Sequence, residues 1–332
     1  MIKILVLHQK GYERDTFFSS YIKKQLEEIG EVTWNESDLP YTEDTLLEVI
    51  EDKDVCLAGW SAPVFTKKIF DKAVKLKYIG QIGGSVRHYL TPEVFDRNII
   101  VTNAAEAIAR YVAEGALTFM LASLKDVIGL NYQMKEERAC PSSVIYTDTL
   151  FQKKVGLIGL GRVGRHLIKL LKPFDVKISL YDPYISESIC KELYIEKTDL
   201  DTLLQSSDII SIHAPGNKET NNMLSLEKLQ MIKYGALLVN TARAAIIDEE
   251  GLIAELKRGR FKADLDVFWQ EPLPVDHELR RLPNVILTPH QIAAAQQQRP
   301  EMVQMVMDDL KLFLQGGTPK YQITRQVYNI MA

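Results

Sequence analysis

Lys154-Val-Gly-Leu-Ile-Gly-Leu-Gly-Arg-Val-Gly-Arg-His166 carries an apolar strand straight into a helical pattern through glycines at 159, 161 and 164. A chain that reverses from strand to helix while its backbone lies against a pyrophosphate needs this spacing. Gly159 serves the turn, Gly161 the close approach and Gly164 the packing of helix on strand. The helix then faces the phosphates with unpaired amide donors, so the run Gly159, Leu160, Gly161, Arg162, Val163 and Gly164 is expected to hold a dinucleotide. Tight turns without a ligand also favour glycine, and the next strand adds the discriminating residue. Lys177-Ile-Ser-Leu-Tyr181 ends in Asp182, eighteen residues past Gly164. A carboxylate there would accept hydrogen bonds from both adenosine ribose hydroxyls and repel a 2'-phosphate, which favours NAD over NADP. An exposed acid capping a strand is the alternative.

Outward from this motif the second half alternates strand and helix: Val155 onward, Ile178 to Tyr181, Ile209 to His213, Ala236 to Asn240, Ala263 to Val267 and Val285 to Leu287. Six strands in this order match a nucleotide-binding sheet. The first hundred residues alternate likewise, through Ile4 to Leu7, Val32 to Trp34, Val55 to Ala58, Tyr78 to Ile82 and Ile99 to Val101, implying a second parallel sheet covered by helices. A helix is expected over roughly Ala104 to Lys125, a loop from Arg138 to Thr149, and a last helix from about Ala293 to Leu314 that stops at Gly316-Gly317. That last helix has no place on the second sheet and is expected to return to the first. The domain reading is therefore residues 1–102 plus 294–332 for one domain and 103–293 for the other, with a cleft between lobes.

The 332 residues suffice for two domains of ordinary size. With 46% apolar residues disorder is not expected, and a net charge of -4, from 40 basic and 44 acidic side chains without a basic stripe, argues against nucleic acid. The opening Met1 to Leu7 is too short for a signal peptide, and Arg110 and Glu114 interrupt the most apolar later stretch, so no membrane partner is expected. Cys56, Cys140 and Cys190 are odd in number and lack metal-ligand spacing. They suit a reducing compartment, with the cytoplasm expected and no metal.

Several residues at strand ends could do chemistry. Reducing a carbonyl with the hydride of a bound dinucleotide asks for an anchored substrate, a polarised carbonyl and a proton for the developing alkoxide. Arg243 follows the strand ending at Asn240, where loops of an open parallel sheet meet their ligand. Its planar fork holds a carboxylate by paired, charge-assisted bonds that lysine does not imitate. His290 can give and take a proton near neutral pH. Glu271, near the far ring nitrogen, would fix the tautomer and favour the charged ring. A lone loop histidine more often packs than catalyses, and it is the pairing with Glu271 and Arg243 that reverses this. Asp266 ends a strand and could tune His290, fix a cofactor amide or simply cap. In the first half, Gly83, Gly84, Ser85 and Val86 follow a strand and expose amides, as an anion nest for a substrate carboxylate or as a plain tight turn.

Gly159-Leu-Gly-Arg-Val-Gly164, Ser211-Ile-His-Ala-Pro215, Asn240-Thr-Ala-Arg243, Leu265-Asp-Val-Phe268 with Glu271-Pro272, and Thr288-Pro-His290 together resemble the D-isomer-specific 2-hydroxyacid dehydrogenase family, in order and separation and over most of the chain. The resemblance implies an α/β fold of two domains, a flavodoxin-like substrate domain and a Rossmann NAD-binding domain. It implies Arg243, Glu271 and His290 as the active site, with His213, Ala214, Pro215, Thr241, Ala242 and Asp266 beside the cofactor. It further implies NAD as cofactor, a small 2-hydroxy or 2-keto acid as substrate, and a homodimer. Ser85-Val86-Arg87-His88, Ala244 and the run Gln291 to Ala295 depart from the family's commoner forms without removing a functional group. Some relatives act as NAD(H)-sensing corepressors, but the intact Arg243, Glu271 and His290 favour turnover. Among enzymes a phosphoglycerate-type dehydrogenase stays open as a reading, although with the sequence ending at Ala332 no regulatory domain is expected; formate dehydrogenases carry glutamine at the position of Glu271, which argues against that activity.

Overall fold

The computed structural model describes residues 1–137 and 145–331. Cys140 and residues 138–144 of the expected loop lie outside the described residues. The chain divides into two compact units, Met1–Ile108 with Ala294–Ala332, and Ala109–Ala293.

The first unit is built on β1 (Lys3–Val6), β2 (Glu31–Trp34), β3 (Val55–Ala58), β4 (Tyr78–Gln81) and β5 (Ile100–Asn103). They form one parallel sheet in the order β2-β1-β3-β4-β5. This is the flavodoxin-like order. The chain works outward in one direction from β1 and then in the other from β3, so the carboxyl ends of β1 and β3 flank the switch point. Strands such as Val55–Ala58 are buried throughout because both faces are covered. Successive side chains alternate between faces: Leu5 and Leu7 join one core with Cys56 and Ile79, whereas Ile4 and Val6 join the other with Met302, Val306 and Leu310. Each of the last three, from the helix Gln298–Leu314, contributes roughly 1.5–3 kcal/mol by burial. The Tyr78 hydroxyl donates to the Val306 carbonyl at 3.2 Å, and Asp309 accepts the amides of Lys320 and Tyr321 at 2.8 Å each.

The last helix begins at Gln298 rather than near Ala293. Pro300 explains the difference. Proline has no amide hydrogen and its ring clashes with the carbonyl four residues back, so it is tolerated only in a helix's first turn. Ala293 to Ala295 are good helix formers that this proline keeps out.

The second unit holds β6 (Lys154–Ile158), β7 (Lys177–Tyr181), β8 (Glu196–Lys197), β9 (Ile209–Ile212), β10 (Leu237–Asn240), β11 (Lys262–Leu265) and β12 (Val285–Leu287). They pair in parallel in the order β12-β11-β10-β9-β6-β7-β8. The seventh strand, β8, was not expected. It is a two-residue, exposed edge strand, and without buried apolar residues it leaves no periodicity to read. The helix Ala105–Leu124 is long and apolar enough to cross a membrane by length and composition. Its Ala113, Ala116, Phe119 and Met120 are nonetheless buried in the second unit's core with Val155, Leu157 and Val239, as in the core helix of a folded domain. Cys56 and Cys190 are buried free thiols.

Candidate active site

In the second unit the direction of winding reverses between β6 and β9, which places the ligand crevice at their carboxyl ends. The glycine turn is there. Gly159 has φ +91°, and a Cβ on it would lie 2.6 Å from the amide nitrogen of Ala214 and 2.8 Å from its Cα. The turn therefore lies against the backbone of His213 and Ala214, which follows β9. Around Gly161 space is open: the nearest atom to an added Cβ is the His213 carbonyl oxygen at 4.0 Å. An added Cβ on Gly164 would be 3.1 Å from the Gly159 carbonyl oxygen, so the helix Arg162–Leu171 packs directly on the turn. Arg162 and Val163 open that helix. Asp182, just past β7, accepts the Leu160 amide at 2.8 Å on one oxygen and the Tyr184 amide at 2.9 Å on the other. A carboxylate thus stands at the turn with lone pairs remaining for ribose hydroxyls. The glycines, the open space at Gly161 and this acid fit a dinucleotide.

His213 shares a 2.9 Å hydrogen bond with Ser211, and burial holds its pKa down at about 4, so the ring is neutral. Pro215 is exposed and Ala214 buried beside it. At the end of β10, Asn240 ties the next loop to itself. Its amide nitrogen donates to the Arg243 carbonyl at 3.0 Å, and its carbonyl oxygen accepts the Ala242 amide at 3.0 Å. Thr241 is buried, with a hydroxyl that has no partner among the described residues.

This loop presents Arg243. Its Nη1 donates to the Ala242 carbonyl at 2.6 Å, and its guanidinium lines a cavity of about 560 Å³ shared with Asn217, Asn221, Phe268 and Trp269. The residue keeps solvent contact, yet the crowding of protein atoms lowers its pKa, opposed by the charge of Glu271. Glu271 accepts the Phe268 amide at 3.0 Å on one oxygen, while the other is 2.8 Å from Nδ1 of His290. Burial pushes the Glu271 carboxyl up. The bonds from His290 and Phe268, with the charges of His290 and Arg243, outweigh it and hold the group below its usual range. Glu271 thus meets His290 directly and feels the charge of Arg243, while the cavity that Arg243 lines is bordered by neither of them.

Asp266 has a defined task. One carboxylate oxygen accepts the Thr288 hydroxyl at 2.5 Å and the amides of Gln291 and Ile292 at 2.9 and 3.1 Å. These bonds clamp both sides of His290, whose φ is +56°. Burial raises the Asp266 pKa against these hydrogen bonds and the charge of His290. Sequence reasoning missed Asn240 and Thr288 as loop-shaping residues; each stands beside a motif but contributes no reacting group. In the first unit Gly83, Gly84, Ser85 and Val86 follow β4. Among the described residues the amides of Gly83, Gly84 and Val86 donate to no acceptor, while Asn103 donates to the Gly84 carbonyl at 2.5 Å and pins the loop. A separate cavity of about 310 Å³, lined by Lys153, Asp208, Lys233 and Lys262, lies at the amino ends of the second sheet, away from these groups.

A glycine turn stands at the switch point, with a carboxylate-backed imidazole and an arginine on the same carboxyl edge of the sheet. Residues 117–291 match the D-isomer specific 2-hydroxyacid dehydrogenase, NAD binding domain. The chain is 34% identical over 313 residues to a glyoxylate reductase of Thermofilum pendens, covering 92% of this chain and 91% of that one. It is also 34% identical over 324 residues to a D-3-phosphoglycerate dehydrogenase of Methanocaldococcus jannaschii, covering 95% of this chain but only 58% of that longer protein. A Thermus thermophilus protein of known structure superposes with a TM-score of 0.79 at 27% identity, over 97% of this chain and all of the other. The chain belongs to the D-isomer specific 2-hydroxyacid dehydrogenase family, and its cofactor is NAD.

Proposed function

We propose that the protein is an NAD-dependent reductase of small 2-keto acids, working in reverse as a D-2-hydroxyacid dehydrogenase. Arg243 binds the substrate's carboxylate and carbonyl oxygen by its planar fork; within the first unit, the free amides of Gly83, Gly84 and Val86 are the candidate anion nest. The nicotinamide supplies the hydride. As the carbonyl oxygen gains negative charge, His290 donates a proton to it from Nε2, the nitrogen left free by Glu271 on Nδ1. Glu271, accepting from Nδ1, fixes the orientation and tautomer of the ring. Asp266, through Thr288, Gln291 and Ile292, holds the His290 loop in place. The same reading takes the first unit as substrate domain and the protein as a cytoplasmic homodimer, the latter tested by sedimentation of the purified chain.

The 2.8 Å contact between His290 and Glu271 carries the proposal. In His290→Gln the turnover of a 2-keto acid with NADH should fall by at least ~10²-fold, the usual worth of a positioned general acid, while NADH affinity measured by fluorescence stays nearly unchanged. Turnover that survives intact removes His290 from the proton step.

A further inference from the structure

The free amides of Gly83, Gly84 and Val86 can meet one anion together only while the turn that carries them keeps its shape. Two anchors hold it. One is Asn103, at the end of β5, whose side chain donates to the Gly84 carbonyl at 2.5 Å. The other lies past Val86, where the amides of Tyr89 and Leu90 both return to the Val86 carbonyl, at 3.2 and 2.9 Å, and draw the chain into a tight turn. Val86 itself is wholly buried, so its peptide unit follows whatever holds that turn.

Residues 321–331 reach both anchors. The Tyr321 carbonyl accepts the Asn103 amide at 3.4 Å, and the Ile323 amide donates to the Val101 carbonyl at 2.7 Å. With an antiparallel bridge between Gln322 and Thr102, the chain here runs along the outer edge of β5. It then forms the helix Arg325–Ile330, capped by the Thr324 side chain, against the second anchor. The buried Tyr328 hydroxyl donates to the Leu90 carbonyl at 2.7 Å, and its ring shares one core with Val86, Tyr89 and Leu90. From the turn's own side, Arg87 Nη1 donates to the Met331 carbonyl at 2.9 Å, with Cζ 5.8 Å from the centre of the Tyr328 ring. Arg87 belongs to the run from Ser85 to His88 that departs from the family's commoner forms, and this contact gives the departure a task.

Donors held in place before a ligand arrives bind it more tightly, because binding then bears less of the cost of ordering them. We infer that residues 321–331 set the affinity of the Gly83 nest for its anion, with Tyr328 and Arg87 as positioning residues that touch no substrate themselves. This rests on the reading of Gly83, Gly84 and Val86 as the anion nest for a 2-keto acid.

Tyr328→Phe keeps the ring and removes one hydrogen bond. Its KM for glyoxylate or pyruvate with NADH should rise by about threefold to tenfold, the net worth of that bond, while kcat and NADH affinity stay at the wild-type level. Arg87→Met should raise the same KM, and Arg87→Lys, which can still donate to Met331, should restore part of it. Amide exchange without substrate reads the anchor itself: in Tyr328→Phe the Tyr89 and Leu90 amides should exchange faster, while those of β4 keep wild-type rates. An unchanged KM or unchanged exchange in folded Tyr328→Phe overturns the inference while leaving the reductase standing. So does a kcat or NADH affinity that falls along with the KM effect, the mark of a merely structural loss. A KM that rises in Arg87→Met alone overturns it too, since Arg87 would then meet the substrate directly. If the wild type reduces no 2-keto acid, the proposed function falls and this inference with it.

Discussion

Two alanine substitutions, two residues apart in the glycine turn, should fail in opposite ways. In Gly159→Ala the new Cβ meets backbone atoms of Ala214 at 2.6 and 2.8 Å, and the residue must keep φ near +91°. The backbone conformation alone costs about 1–3 kcal/mol, and relieving the overlap by shifting the loop after β9 adds a further ~1–3 kcal/mol. For a unit of this size each kcal/mol lowers the melting temperature by about 2–4 °C. The second unit's transition should therefore fall by roughly 5–20 °C without any cofactor. Gly161 presents the reverse case: its φ of -79° suits any residue and its Cβ site is open to 4.0 Å. Gly161→Ala should melt at or slightly above the wild-type temperature, since the substitution also restricts the unfolded chain by about 0.4–1 kcal/mol. The space it fills is the one a pyrophosphate needs, so NADH affinity should drop by tenfold or more. Calorimetry and NADH fluorescence titration on both variants decide the matter. A Gly161→Ala protein that binds NADH as the wild type does would refute the placement of the pyrophosphate. A Gly159→Ala protein with unchanged melting would refute the packing of the turn on Ala214.

Asp182→Ala should raise the KM for NADH by roughly 10- to 100-fold, the worth of hydrogen bonds to a charged acceptor, and narrow the gap between NADH and NADPH; unchanged selectivity would remove Asp182 from the ribose site. Asp264 is wholly buried and accepts the Ser123 hydroxyl at 2.7 Å on both oxygens; burial raises its pKa to about 7 against that bond and the charge of Lys262. A carboxyl whose folded pKa lies above the unfolded ~3.9 contributes stability below that lower value and loses it as pH rises through the folded one. The second unit should thus lose on the order of a few kcal/mol between pH 4 and pH 8, and Asp264→Asn should flatten this slope in urea titrations. An unaltered slope would mean that another group carries it.

Where the sequence was legible, local chemistry and tertiary demand coincide. Val55–Ala58 and Leu237–Asn240 read as strands because both sheet faces are covered and every position must be apolar. The glycines read as a turn because the backbone of Ala214 leaves Gly159 no room for a side chain. The opposite holds for β8, which is exposed and paired only at an edge, so nothing in its composition marks it. Asp266 was ambiguous for a related reason: as a strand-end acid it suits three roles, and the return of Thr288, Gln291 and Ile292 to one of its carboxylate oxygens is a contact that no single stretch of sequence displays. The early chain is the extreme case. His8 and Arg14 lie in no motif, and an arginine in a first helix reads as surface charge. Only the pairing of β1 with β3 brings Gly59 and Trp60 to enclose them. Motifs announce themselves by residue type and spacing, whereas the burial of a polar residue outside any motif depends on which strands become neighbours, and that is settled by the sheet rather than by any stretch of chain.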